Sequence, residues 1–229
     1  VISPRNFKQL RTVAAFTLIE MVTVIAILAT LMTAGVSLLN GTGAQSRKTG
    51  TDMLSGLIEQ ARTKAITTRS NVLLVVAEPG ALPAQDERCR IGMFKVADNW
   101  LENPTMIKNA ELLSRWQVLN TGIVLLPGDV EDKGDRSRTV PNALGQDKVT
   151  ISYGGAKNLT VKVYAIGFNS RGGLSFPTGS TPVAFRIAEG GYRGPQRAPK
   201  ANERGDEKTI SENRLKIGRV TARPYQIDG

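Results

Sequence analysis

From Phe16 to Leu39 the chain reads FTLIEMVTVIAILATLMTAGVSLL, 24 residues carrying one charge, Glu20. As an α-helix this run would extend about 36 Å, enough for a bilayer core of about 30 Å with some tilt. The apolar part of a secretory signal is only about 7–15 residues long, so the run reads as an anchor instead. Arg5, Lys8 and Arg11 precede it, and no acid occurs among residues 1–15. Cations flanking a span stay in the cytoplasm. The expectation is therefore a single-pass membrane protein with its N-terminus cytoplasmic and everything from about Asn40 onward on the far side.

Glu20 is the costly residue in this run. An ionisable side chain at the centre of a membrane helix costs about 2.5–3.5 kcal/mol, and less near an interface. A partner's cation could offset that cost. A cut just before Phe16 would expose an α-amine of pKa about 7.7–8.0. Two unit charges 4 Å apart interact by about 4 kcal/mol at an effective dielectric of 20. One subunit's amine could thus neutralise a neighbour's Glu20.

Ala15-Phe16-Thr17-Leu18-Ile19-Glu20, behind a short basic leader and opening an apolar helix, resembles the type IV prepilin signal. Type IV pilins and type II secretion pseudopilins carry that signal. The resemblance implies cleavage by a prepilin peptidase between Ala15 and Phe16, methylation of the new Phe16 amine, and subunit assembly through Glu20. Ala15 departs from the glycine usual before the cut. Inner membrane, periplasm and an assembled filament are the locations implied, with other pilins or pseudopilins as partners.

Asn40-Gly41-Thr42-Gly43, followed by Gly50, predicts a break, because each glycine costs a helix interior about 1 kcal/mol. Helical patterning resumes from Thr51 to Thr68, where Met53, Leu54, Leu57, Ile58, Ala61, Ala65 and Ile66 make one apolar stripe. Strands are expected at Asn71–Ala77, Arg90–Ala97, Arg115–Leu119, Ile123–Leu126, Lys148–Tyr153, Leu159–Phe168, Val183–Ala188 and Arg214–Thr221. The fold class expected is α+β. A long membrane-spanning N-terminal helix continues into an amphipathic segment packed on an antiparallel β-rich, pilin-like domain. The domains are a basic leader (1–15), a transmembrane helix (16–39), a helix extension with a Gly-rich break (40–70), and a β-rich domain (71–229). Residues 189–213, rich in Gly, Pro and charge, read as a long mobile loop.

The segment Leu57-Ile58-Glu59-Gln60-Ala61-Arg62-Thr63-Lys64-Ala65-Ile66-Thr67, with Val72–Val76 after it, resembles H-type minor pseudopilins and FimT-like minor pilins. Phe168-Asn169-Ser170-Arg171-Gly172 and Leu215-Lys216-Ile217-Gly218-Arg219-Val220 fit the same pattern. That branch has a β-rich domain on the C-terminal half of its long helix.

Composition narrows the chemistry. Among 229 residues there is no histidine and one cysteine, Cys89. This excludes Ser-His-Asp and Cys-His nucleophile pairs, His-containing metal sites and an internal disulfide. Cys89 itself reads as a small buried apolar residue. Trp100 and Trp116 read as packing residues. The net charge is +10, and removing the leader's three cations leaves +7 (10 − 3). Residues 190–229 hold nine Lys or Arg against five Asp or Glu.

Arg214, Lys216, Arg219 and Arg223 are the candidate contacts to DNA phosphates. FimT-like pilins active in DNA uptake carry Gly-Arg-x-Arg; here Gly218-Arg219-Val220-Thr221 lacks the second arginine. Asp129, Glu131, Asp132 and Asp135 gather in one acidic turn that could hold calcium, although Lys133 and Val140 break the EF-hand pattern. No other cofactor is expected, and no P-loop occurs.

The function expected is a minor pilin-like structural subunit of a type II secretion pseudopilus or type IV pilus, processed by prepilin peptidase and not an enzyme. The first alternative is a DNA-capturing minor pilin. The second is a membrane-anchored carboxylate or Ser-Lys hydrolase, for which no constellation is visible.

Overall fold

The computed structural model describes residues 17–83, 87–132, 138–145, 147–154, 159–205 and 208–227, without the side chains of 33–42 and 204. The chain forms two units, Val1–Thr42 and Gly43–Gly229. One α-helix, α1 (Leu18–Thr67), is followed by β1 (Asn71–Ala77), β2 (Arg90–Val96), a 3-10 turn (Trp100–Glu102), β3 (Met106–Leu112) and β4 (Gln117–Val118). Next come β5 (Ile123–Leu126), β6 (Val130–Asp132), β7 (Arg138–Val140), β8 (Val149–Tyr153), β9 (Leu159–Phe168) and β10 (Leu174–Phe176). The last strands are β11 (Val183–Arg193), β12 (Ala198–Ala201), β13 (Glu203–Arg204), β14 (Thr209–Ile210), β15 (Glu212–Ile217) and β16 (Pro224–Ile227).

The expected α+β class is overturned. The chain is mostly β, 43 % strand against 23 % helix. Five strands close on themselves in the order β1-β2-β3-β8-β9 and back to β1. All those pairs are antiparallel except β3 with β8, which is parallel. Closure leaves these strands no free edge. β4 adds to β2 and β10 to β9. A second sheet runs β12-β11-β15-β16, with β5 also paired to β11.

The expected transmembrane helix at 16–39 is likewise corrected: among the described residues, no helix is long and apolar enough to cross a membrane.

The Gly-rich break is also not there, since α1 is continuous through Asn40–Gly43 and Gly50. One of its glycines serves close packing: a Cβ on Gly43 would run into the Glu189 carboxylate, whereas one on Gly50 would make only ordinary contact with Ile123. A larger residue at Gly43 would displace a carboxylate that Arg47 holds at 2.7 Å.

The second unit has two main cores with β1 between them. Leu73, Val75 and Ala77 face the barrel interior with Phe94, Ile151, Val161 and Val163. Val72, Leu74 and Val76 face the other core, shared with Leu54, Ile58, Ala61 and Ala65 of α1 and with Phe185 and Ile187 of β11. Thus the continuous apolar run of β1 is buried on both faces. The amphipathic stripe of α1 is held in place by Arg62 Nε donating to Thr221 O (2.6 Å) and Asn213 Nδ2 donating to Thr51 Oγ1 (3.0 Å).

The expected mobile loop at 189–213 is built instead of paired strands. β11 runs on to Arg193 and pairs with β12, and β13 pairs with β14. Tyr192 explains the extension: it is 7 % exposed, and its hydroxyl lies 2.7 Å from Cys89 Sγ. Gly190 lets the partner strand close in, since a Cβ there would stand 2.1 Å from Lys200 O.

Candidate assembly surface

Ala15 and Phe16, the expected cleavage and methylation positions, lie outside the described residues. The helix that follows them starts on a defined cap. Glu20 N donates to Thr17 O (3.1 Å) and Thr17 Oγ1 (3.3 Å), and Met21 N donates to Thr17 O (3.2 Å). A threonine three residues before a glutamate is a helix-start signal, and a first-turn carboxylate complements the helix dipole. The capping bonds come from the Glu20 main-chain N–H to Thr17, and the Glu20 carboxylate adds only a first-turn charge. The Thr17-x-x-Glu20 spacing is the signal that would have found this cap.

From Leu18 to Met32, Glu20 apart, the helix carries apolar side chains on every side. Leu18, Ile19, Ile25, Leu31 and Met32 are all more than 60 % exposed, and Met21, Val22, Val24, Ile27 and Leu28 are about half exposed. Thr23 and Thr30 turn their hydroxyls onto the backbone carbonyls of Ile19 and Ile27, so they add little polarity to the surface. Covering these ten side chains would contribute on the order of 10 kcal/mol. That is comparable with the several kcal/mol that association itself costs. An exposed apolar surface of this kind marks an interaction site.

The four candidate DNA contacts do not form one free cationic patch. Arg214 Nε donates to Glu212 Oε1 at 2.7 Å, and Arg186 Nη2 lies 2.8 Å from the same carboxylate. Lys216 is 6 % exposed and ion-paired with Asp132, with its ammonium 5.6 Å from the centre of the Tyr225 ring. Burial pulls its pKa down, but the hydrogen bond to Asp132 and the Tyr225 interaction outweigh this, so the net shift is upward. Arg219 donates from Nε to Gly179 O (2.7 Å) and from Nη2 to Pro177 O (2.6 Å), and burial lowers its pKa. Arg223 alone of the four is exposed.

The acidic turn is similarly committed. Asp129 Oδ1 accepts from Asn142 N at 3.0 Å, and Asp132 pairs with Lys216. Asp135 lies outside the described residues. Among the described residues, no three His, Cys, Asp or Glu side chains converge as metal ligands would. Cys89 is buried at 1 % exposure, which pushes its thiol up to about 12, with the Tyr192 hydrogen bond only partly offsetting this. Trp100 packs edge-on against Phe176 with ring centroids 5.5 Å apart, and Trp116 against Phe94 at 5.7 Å. The chain matches no known protein family, curated protein or solved structure.

Proposed function

We propose that this chain is a minor pilin or pseudopilin subunit, matured by a prepilin peptidase between Ala15 and Phe16 and assembled through its N-terminal apolar helix. One observation carries the reading: an all-round exposed apolar helical surface directly follows Phe16-Thr17-Leu18-Ile19-Glu20. Such a surface is stable only when covered, and copies of the same helix or other pilins would cover it. Glu20, the lone charge among residues 16–39, would then set register by meeting the amine of a neighbour's Phe16. On this reading the subunit resides at the bacterial inner membrane before assembly and in a type II secretion pseudopilus or type IV pilus afterwards. The β-rich unit is periplasmic. Its role is structural, without turnover.

The test is the mature N-terminus. Full-length chain co-expressed with a prepilin peptidase should yield a methylated Phe16 start by mass spectrometry, and Ala15→Trp should block it. An uncut leader in the presence of several such peptidases would reject the reading.

A further inference from the structure

β11 outruns its sheet. Past Ala188 it leaves β15 and continues as a two-stranded ribbon with β12, closed by a turn in which Arg197 N donates to Gly194 O at 3.0 Å. In such a ribbon, paired residues share a face and neighbours along a strand alternate. The paired Tyr192 and Pro199 turn one face inward, Tyr192 buried and Pro199 partly so. Arg193 pairs with Ala198 and Lys200 with Gly191, so both cations lie on the outer face, and both are exposed. A Cβ on Gly191 would meet nothing within 4 Å, so this face is open. Arg197, in the turn, is exposed as well.

Residues 190–202 hold these three cations and no acid, and the next acid along the chain is Glu203. The contrast is with Arg47, Lys148, Arg186, Arg214 and Lys216, which are all ion-paired. The base of the ribbon fixes where its charge sits. Glu189, just before it, is ion-paired with Arg47 at 2.7 Å and lies against Gly43, the first residue of the second unit. At the turn, a Cβ on Gly80 would stand 2.9 Å from Arg197 Nη1, so the ribbon lies over the loop between β1 and β2. β1 follows α1 after a short turn and packs back along it, which carries that loop to the same end. The basic ribbon thus sits at the end of the second unit where the chain arrives from the apolar residues 18–32.

An open strand face with cations, small residues and no acid fits an extended anionic surface. Each Lys or Arg near an anionic leaflet strengthens adsorption about fivefold. Three cations alone hold a free protein only weakly. They suffice for a unit already tethered by an apolar helix, because tethering makes the contact intramolecular. A DNA duplex calls for a longer track of phosphate contacts. Arg214, Lys216 and Arg219 do not extend one, being committed to Glu212, Asp132 and the Gly179 carbonyl. We infer that the β11–β12 ribbon is a contact surface for anionic phospholipid headgroups, with Arg193, Arg197 and Lys200 meeting the phosphates. The inference rests on the proposed residence of the subunit at a membrane before assembly, and adds that the second unit is then seated on the leaflet through this ribbon.

The test uses the full chain with Gln196→Cys at the exposed tip of the ribbon, labelled with a fluorophore at neutral pH, where the buried Cys89 does not react. It is reconstituted into vesicles carrying a headgroup-nitroxide lipid, made of phosphatidylcholine alone or with about one third phosphatidylglycerol. Quenching of the tip should appear only in the anionic vesicles and vanish in about 1 M salt, where the Debye length is about 3 Å. Arg193→Gln combined with Lys200→Gln, which leaves the Gly194–Arg197 turn intact, should weaken the contact about 25-fold. Equal quenching in both vesicle types, or a double variant that behaves like the parent, overturns the inference. So does a DNA duplex that displaces the tip at a lower phosphate concentration than the lipid presents, which would transfer the surface to nucleic acid. Sedimentation separates this inference from the reading beneath it. A chain that pellets with both vesicle types but is quenched in neither overturns the ribbon contact alone, and one that pellets with neither overturns membrane residence as well.

Discussion

Two apolar stretches of α1 have opposite fates. Between Leu54 and Ala65 the apolar residues recur at helical spacing, and Leu54, Ile58, Ala61 and Ala65 are fully buried. Between Leu18 and Met32 they occupy every side of the helix and stay exposed. A stripe can be satisfied within one chain, because one face meets the sheet and the other meets water. A fully apolar cylinder has no solvent face, so it cannot be satisfied in the same way. The periodicity, more than the hydrophobicity, separates the buried stretch from the exposed one.

The strongest way to break this comparison is a matched pair of truncations. Ile58→Ala should cost the second unit about 4 kcal/mol through lost burial and a cavity, whereas Ile25→Ala should change its stability by less than about 0.5 kcal/mol. Denaturant unfolding measures both, and equal effects would end the distinction. On the proposed function, incorporation into filaments should show the reverse ranking, with Ile25→Glu excluded and Ile58→Val retained.

The same contrast applies to the cations. Lys216→Ala strips a buried carboxylate, Asp132, of its ammonium, and should cost about 3 kcal/mol. Arg223→Ala, at an exposed position, should be neutral within about 0.5 kcal/mol. If instead both left stability untouched while weakening a salt-sensitive association with duplex DNA, the cationic surface would regain a functional role.

A smaller effect should follow pH. Folding raises the Cys89 thiol from 9.0 to about 12, so the folded state favours the protonated form. Its contribution is complete below about pH 9 and falls as pH rises towards 12, because the unfolded thiol ionises first. The stability difference between wild type and Cys89→Ala should shrink across that window. Cys89 should also resist thiol reagents at neutral pH. Smallest of all, Arg62→Ala removes the bond to Thr221 O and a 3.4 Å ion pair with Glu59. That should cost about 1 kcal/mol or less.

How much of this was legible depended on whether the signal was local. Asn71–Ala77, Ile123–Leu126 and Leu159–Phe168 match their expected bounds, since β-branched runs between turn residues announce strands on their own. The stripe on α1 was equally readable. β3 was not, because the irregularity at Asn109 breaks the alternation of its side chains into two buried positions three residues apart, Ile107 and Ala110. The ribbon of β11 and β12 was read as a loop because Gly190, Gly191 and Pro199 suggested one. Its anchor, Tyr192, meets a partner 103 residues earlier in the chain. Closure of the barrel depends on β1 finding β9 some 88 to 96 residues further along the chain, and no short window of sequence contains both. Of the candidate site, Glu20 and the apolar surface were visible from charge and hydropathy.

β1 also bears on how the second unit comes apart. Its even-numbered residues belong to one core and its odd-numbered residues to the other, so neither core has a wall of its own on that side. Melting the barrel removes the surface on which α1 and β11 rest, and loosening α1 leaves one face of β1 open to water. The unit should therefore unfold in a single transition, and a substitution in either core should lower the midpoint of the whole rather than split it in two.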